Sequence, residues 1–290
     1  MLGLGNSINS IDFPQPASGG GGGGSKMLDT FSGATAAYSL RQLSSSYSGN
    51  CVLVRRASDD AELNIGFSGG ELDTSALATH CGSSDGFVVT WYDQSGNSNN
   101  ATQSTAANQP RIYDGSGPRH ISENGKPAIE FDGSGDHFDL SISGLNINNM
   151  SVHTVSRPNP SGTSNDAGHT LAAAGAVYWI HFIQRVGSVH KDRFFYGSSL
   201  DTGVDVDNNQ HLYSFIAGST AGFAAMYRDG TKISADLTLT SQSSNSQEIG
   251  AFIGGITFEG TKQEFIVYGS DTTNSRTNIE SNINTFYSIF

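Results

Sequence analysis

The sequence has few charged residues and no long apolar run, and each shortage argues against a class of protein. Only 14% of the 290 residues are charged, and 27 acidic residues against 15 basic ones give a net charge of −12. Because no basic stripe exists to neutralise phosphates, binding to nucleic acid or to an anionic membrane surface is not expected. The apolar runs are too short to span a bilayer.

Cysteine is scarce as well, with only Cys51 and Cys81 in the chain. They form either one disulfide, which requires an oxidising compartment, or two buried free thiols, and the sequence leaves both open. No cysteine or histidine cluster has the spacing of a zinc site, so no structural zinc is expected. The spacing of His169, His181 and His190 predicts scattered surface or strand residues.

The N-terminal segment differs in composition from the rest of the chain. Residues 1–17 lack the basic and apolar regions of a secretory signal peptide. Residues 18–25 are six glycines flanked by serines, which predicts a flexible linker. We therefore expect a docking peptide (1–17), a linker (18–25) and a folded domain (26–290), unless the terminus is simply disordered or the linker engineered. The docking side chains would be the apolar ones: Leu2, Leu4, Ile8, Ile11 and Phe13.

From residue 26 onward, short runs of β-branched and aromatic residues alternate with Gly, Asn and Asp. This pattern predicts many strands joined by tight turns, and therefore packing of sheet on sheet. Helices are predicted over residues 32–43, 73–81 and 275–290. The fold class that we expect is an all-β jelly-roll sandwich with a few short helices, preceded by an extended N-terminal arm.

Two predicted strands end in loops rich in oxygen-bearing side chains. One loop carries Asp93, Asn97 and Asn99, and the other carries Asp132 and Asp136. Such groups hydrogen-bond sugar hydroxyls, and they are also ligands for Ca²⁺. The alternative is that these side chains cap their own turns. We expect either a glycan or calcium site at these loops, or ordinary turn capping, and no other cofactor.

Four sequence blocks between Ala37 and Gln103 carry a family resemblance. AYSLRQLSSSYSG, VRRASDD, GGELDTSALATHC and YDQSGNSNNATQ resemble the catalytic domain of α-L-arabinofuranosidase B, glycoside hydrolase family 54. Later blocks, KPAIEFDGSGDHFDL, AAMYRDGTKI and EFIVYGSDTTNSRTNIESNINTFY, resemble concanavalin A-like and laminin-G-like domains. Both resemblances imply a concanavalin-like sandwich.

The hydrolase resemblance also implies two catalytic carboxylates. In that family the nucleophile is a Glu in a mid-domain strand, and the acid/base is an Asp after an Ile-Gly-Gly turn. The comparable strand here, around residues 176–187, has no Asp or Glu, and Ile256 stands where the acid is expected. Glu259 is the nearest substitute. No catalytic residue is therefore assigned from the sequence.

The domain has the composition of extracellular or virion β-proteins, yet no export signal precedes it. This combination is typical of a phage virion protein, which is made in the cytoplasm and released by lysis. We therefore expect a non-catalytic protein of the virion surface, either a capsid decoration, a fibre or a tail adhesin. Its N-terminal peptide would bind a capsid or tail protein, its domain would bind host or environmental glycans, and it would assemble as a homotrimer. The alternative is an arabinofuranosidase-like glycoside hydrolase.

Overall fold

The structure of the protein is a computed structural model that describes residues 26–121, 123–160, 166–174, 177–197, 199–200, 203–218, 222–238, 247–252 and 255–290. The predicted docking peptide and linker lie outside these residues. The helices are α1 (Met27–Thr30), α2 (Thr74–Cys81) and α3 (Arg276–Tyr287), with a 3₁₀ helix over Ala106–Asn108. No helix in the described part of the chain is long and apolar enough to cross a membrane.

Strands dominate the rest of the described chain. They are β1 (Ala34–Ser39), β2 (Val52–Arg56), β3 (Glu62–Ile65), β4 (Phe67–Ser68), β5 (Glu71–Leu72), β6 (Asp85–Trp91), β7 (Ala101–Thr102), β8 (Arg111–Asp114), β9 (Ile129–Asp132), β10 (Phe138–Asp139), β11 (Met150–Pro158), β12 (Asp166–Ala174), β13 (Val177–Val186), β14 (Val189–Gly197), β15 (Ser199–Leu200), β16 (Val204–Asp205), β17 (His211–Gly218), β18 (Phe223–Arg228), β19 (Thr231–Lys232), β20 (Glu248–Ile249), β21 (Ala251–Phe252), β22 (Ile256–Thr257) and β23 (Glu259–Tyr268). The predicted all-β sandwich is therefore confirmed.

The long strand β23 organises the sheet. One of its edges pairs with β11, and the other pairs first with β9 and then with β1, always antiparallel. β11 continues the sheet into β17 and β18. On the other side, β8 joins β9 to β6, and β6 pairs with β2. This pairing brings the ends of β8, β9 and β23 together.

Side chains that alternate along β23 serve two separate cores. Phe265 and Val267 point into the interior of the sandwich, whereas Ile266 and Tyr268 face α3. Such alternation is what a strand between two buried layers requires. The interior core is aromatic, with Trp91, Phe131, Phe138, Phe215 and Phe265 all buried. Trp91 therefore packs in the core.

The helix predicted over residues 32–43 is wrong, because this segment contains strand β1. Ala36 and Tyr38 enter the interior core, and Ala37 packs toward α3. Pairing with β23 and burial on both faces outweigh the modest helix propensity of the segment. The other two helices are confirmed. Asp73 caps α2 by accepting hydrogen bonds from the backbone of Ser75 and Ala76.

Cys51 and Cys81 are both buried free thiols and do not form a disulfide. Burial raises the pKa of the Cys51 thiol, and it raises that of Cys81 to about 11. Both thiols are therefore uncharged near neutral pH and act as small apolar side chains.

Candidate active site

A cleft of about 620 Å³ opens beside the paired ends of β9 and β23. Four acidic side chains line it: Glu130, Asp132, Asp136 and Glu259. Its volume lies in the range of small-molecule sites. Of the residues that we expected to bind glycan or calcium, Asp132 and Asp136 are brought together here, and Glu259 joins them.

The register of β9 against β23 determines which side chains of the two strands lie opposite each other. Glu259 pairs with Asp132, and Thr261 pairs with Glu130. Residues directly opposite in an antiparallel pair have Cβ atoms roughly 4.5–5.5 Å apart and project from the same face of the sheet. Asp132 and Glu259 therefore place two carboxyl groups side by side in the cleft wall.

Asp132 and Asp136 lie next to each other at the end of β9. The backbone N–H of Asp132 donates to Asp136 Oδ2 over 3.0 Å. Asp136 is only 6% exposed. Burial, and then the negative charge of Asp132, raise the pKa of Asp136 to about 7. Asp136 therefore keeps its proton up to about pH 7, while the side chain of Asp132 remains exposed.

Glu130, by contrast, is fixed by two arginines. Arg111 Nη2 lies 2.7 Å from Glu130 Oε2, and Arg119 Nη2 lies 2.8 Å from Oε1. Arg119 also pairs with Asp114 at 2.6 Å. This network neutralises Glu130 and makes the floor of the cleft rigid.

Two residues that line the cleft each have a buried polar atom without a hydrogen-bond partner among the described residues. These atoms are Thr261 Oγ1 and Arg119 Nε. Both atoms are shielded from solvent, so they do not reach the open part of the cleft.

Gly133 allows the Asp132 loop to lie against Glu259. Its φ is +75°, and a Cβ built on it would lie 3.0 Å from Glu259 Cβ. A larger residue would be strained by the backbone conformation and would also push Glu259 away. The only signal of this role in the sequence is a weak one, a glycine in a loop that follows a strand.

The other predicted loop does not contribute to the cleft. Asp93 is buried, and its Oδ1 accepts from the backbone N–H groups of Ala37 and Ser95 at 2.8 Å each. Its Oδ2 accepts from Ser95 Oγ and the Asn99 backbone N–H. The side-chain amides of Asn97 and Asn99 donate to the carbonyl of Thr35. These side chains hold the loop against β1.

A second polar cluster lies inside the sandwich. His169 on β12 pairs with His181 on β13, and both are fully buried. His181 Nε2 lies 3.2 Å from Asp192 Oδ1. Lys262 is also 0% exposed, and burial lowers its pKa to about 7. The prediction that His169 and His181 are scattered surface or strand residues missed this cluster, because facing positions on neighbouring strands cannot be read from spacing along the chain.

Among the described residues, no group of three or more His, Cys, Asp or Glu side chains could hold a metal ion. Calcium binding at the two loops stays a prediction.

The fold and the cleft together define an all-β sandwich with paired carboxyl groups in an open groove, an arrangement that suits glycoside hydrolysis. The family model for the catalytic domain of α-L-arabinofuranosidase B matches residues 30–249. The chain belongs to this family. A search of curated protein sequences gave no match.

Solved structures agree on the fold. The chain is similar to an arabinofuranosidase complexed with arabinofuranosyl-α-1,2-xylobiose, with a TM-score of 0.66 and 17% sequence identity over 90% of this chain. It is equally similar to a mutant family 54 α-L-arabinofuranosidase soaked with 4-nitrophenyl α-L-arabinofuranoside, with a TM-score of 0.66 and 16% identity. The chain covers 64% of the length of each of these structures.

These comparisons correct the functional expectation. The interpretation as a phage virion structural protein is wrong, because the family match and the similar structures indicate an arabinofuranosidase-type glycoside hydrolase fold. The resemblance of residues 37–103 to that family is confirmed. The resemblance of the later blocks to concanavalin A-like domains stays a prediction, as do the docking peptide, the homotrimer and the location of the protein.

Proposed function

We propose that this domain is a glycoside hydrolase that removes terminal arabinofuranosyl units, with the carboxylate-lined cleft as its active site. The observation that carries the proposal is the register pairing of Asp132 with Glu259 beside the buried carboxyl of Asp136. A retaining glycosidase needs two carboxyl groups about 5 Å apart, one to attack and one to donate a proton. Membership of the arabinofuranosidase B family supports the proposal that the released sugar is an arabinofuranosyl unit.

The roles follow from the environments of the carboxyl groups. In the first step, Glu259 attacks the anomeric carbon, and a C–O bond to the enzyme forms as the glycosidic C–O bond breaks. The Asp132–Asp136 pair gives its proton to the departing oxygen. In the second step, the pair takes a proton from water, the water oxygen bonds to the anomeric carbon, and Glu259 is released. The predicted product has the same anomeric configuration as the substrate.

The test is hydrolysis of 4-nitrophenyl α-L-arabinofuranoside by the wild type and by Glu259→Gln. We expect kcat/KM to fall by about 10³-fold, because the amide cannot attack. Glu62→Gln is the matched control, since Glu62 lies exposed on β3 outside the cleft. Azide should restore turnover to Glu259→Ala with formation of the glycosyl azide. Full activity of Glu259→Gln would refute the assignment.

A glycan-binding domain without turnover is the second candidate. It is favoured by the lack of a carboxylate at Ile256 and along residues 176–187, where the family resemblance places the catalytic pair. Retention of wild type and Glu259→Gln alike on an arabinoxylan affinity gel, with no hydrolysis by either, would select this alternative.

A further inference from the structure

His211, the first residue of β17, lies between two carboxylates that come from different segments of the chain. Its Nε2 lies 2.7 Å from Asp207 Oδ1, in the connection between β16 and β17. Its Nδ1 lies 2.5 Å from Asp229 Oδ2, in the turn between β18 and β19. His211 is only 6% exposed, and the ring of Tyr213 packs edge-on against it. The imidazole therefore joins two connections of the sheet where little water competes for its nitrogens.

The geometry of these contacts determines the charge of the ring. An ionised carboxylate only accepts hydrogen bonds, whereas a neutral imidazole carries a proton on just one nitrogen. Because each ring nitrogen of His211 faces a carboxylate, both nitrogens carry a proton and the ring is an imidazolium. Burial disfavours this charge, but the hydrogen bonds to Asp229 and Asp207 outweigh burial and raise the pKa of His211 above its ordinary value of 6.5.

Other charged side chains around the ring are paired with groups of their own. The positive charge of Arg228, on β18, lowers the pKa of His211 and so opposes the two carboxylates. Its guanidinium lies 3.1 Å from the buried carboxylate of Asp192 on β14. On the α3 side of the turn, Arg276 pairs with Glu280 at 2.6 Å. The two carboxylates that contact the ring therefore determine the direction of its pKa shift.

The turn that His211 contacts is strained, and α3 contacts the same turn. Asp229 has a φ of +52°, a left-handed conformation that residues with a side chain rarely adopt. Its Oδ1 accepts from the backbone N–H of Leu212 at 2.9 Å, and its own N–H donates to the Leu212 carbonyl oxygen. Arg276 Nη1 donates to the carbonyl oxygen of Gly230 at 3.3 Å. A change in the charge of His211 therefore acts on the backbone of β17 and on the turn that contacts α3.

We propose that His211 is a pH-sensitive latch, whose imidazolium ties the β16–β17 connection to the β18–β19 turn and whose hold weakens as the pH rises above neutral. When the ring loses a proton, one nitrogen becomes an acceptor that faces a carboxylate oxygen, and the two acceptors repel each other. The latch stabilises the folded state fully below pH 6.5, and this contribution is lost as the pH rises through the higher pKa of the folded state. The latch does not depend on the proposed hydrolase activity.

The direct test is an NMR titration of the His211 ring in the full chain. We expect both ring nitrogens to carry a proton at pH 6 and the midpoint of the titration to lie above pH 6.5. Asp207→Asn keeps an acceptor oxygen but removes a charge, so it should raise the acid dissociation constant of the ring about tenfold. The Asp207 side chain is 44% exposed, so this variant should fold. A midpoint at or below pH 6.5, or an unchanged constant in Asp207→Asn, would overturn the proposal.

Stability and amide exchange test what the latch does. We expect His211→Gln to raise the equilibrium constant of unfolding in urea about 30-fold at pH 6 and less than about threefold at pH 9. The matched control, His120→Gln, replaces an exposed histidine and should have the same small effect at both pH values. In the wild type, protection of the Leu212 amide against hydrogen exchange should fall as the pH passes the midpoint of the ring titration. An equal loss of stability at both pH values in His211→Gln, or constant protection of Leu212, would mean that His211 only packs and would refute the latch.

Discussion

Two loops of similar composition leave strands of this sandwich, and only one of them contributes to the cleft. The loop after β6 carries Asp93 and Asn99, and the loop after β9 carries Asp132 and Asp136. In the first loop, each oxygen of the Asp93 carboxylate accepts two hydrogen bonds from the loop itself or from β1. In the second loop, burial and then the negative charge of Asp132 raise the pKa of Asp136 to about 7 beside an open groove.

The difference comes from what lies opposite each loop. Asp93 faces the backbone of Ala37, which supplies a donor, so its charge is satisfied inside the protein. Asp132 faces Glu259, a third carboxylate, across the β9–β23 pair. A carboxylate whose two oxygens both accept hydrogen bonds inside the protein stabilises the fold. Carboxylates that lie close to one another reduce stability and are available for catalysis. Replacing each Asp by Asn therefore has opposite expected effects in the two loops.

The largest expected effect is on the pH dependence of the free energy of unfolding, part of which Asp136→Asn should remove. The pKa of Asp136 is about 7 in the folded protein against 3.8 for the unperturbed group. Below pH 4 the carboxyl is protonated in both states. Between pH 4 and 7 only the folded state keeps the proton, so this group lowers the free energy of unfolding as pH rises, by up to about 4 kcal/mol above pH 7.

The amide introduced by Asp136→Asn can still accept from the Asp132 backbone N–H, and it carries no charge at any pH. We therefore expect this variant to be more stable than the wild type in urea unfolding at pH 8 and no more stable at pH 4. Hydrolysis should fall by about 10²-fold or more, because the proton held by Asp136 is lost. In the wild type, activity should decline as pH rises through 7. Equal stability of the two proteins at both pH values would contradict the role given to the pair.

The sequence predicts the strands and the two loops, but it does not predict which loop contributes to the cleft. The strands, the loops and the family could be predicted because alternation, turn residues and local blocks are encoded over a few residues. Glu259 was named as a substitute carboxylate, yet its position opposite Asp132 depends on a strand pairing between residues about 130 positions apart. The same limit explains the missed strand β1 and the buried His169–His181 pair.

Asp93→Asn should destabilise the protein, with the opposite sign to the change at Asp136. The amide nitrogen would face either the Asn99 N–H or the Ala37 N–H, both donors, and leave a buried N–H without an acceptor. The expected loss is about 2–3 kcal/mol in the free energy of unfolding. Urea unfolding at pH 8 measures it, and kcat/KM per folded molecule should stay within twofold of the wild type. A large loss of activity in folded protein would mean that this loop also contributes to catalysis.

The smallest expected effect comes from replacing Gly133 or Gly96 by Ala. This comparison separates the cost of backbone strain from the effect of displacing Glu259. Gly133 and Gly96 lie in the two loops with φ of +75° and +92°, so Ala is strained at both, by about 1–2 kcal/mol. A Cβ at Gly96 would meet nothing within 4 Å, whereas one at Gly133 would lie 3.0 Å from Glu259 Cβ. We therefore expect both variants to lose similar stability, but only Gly133→Ala to lose activity, by about tenfold, because Glu259 is displaced. Equal activity of the two variants would show that the distance between the Asp132 loop and Glu259 does not control turnover, and would move the reaction away from this pair of strands.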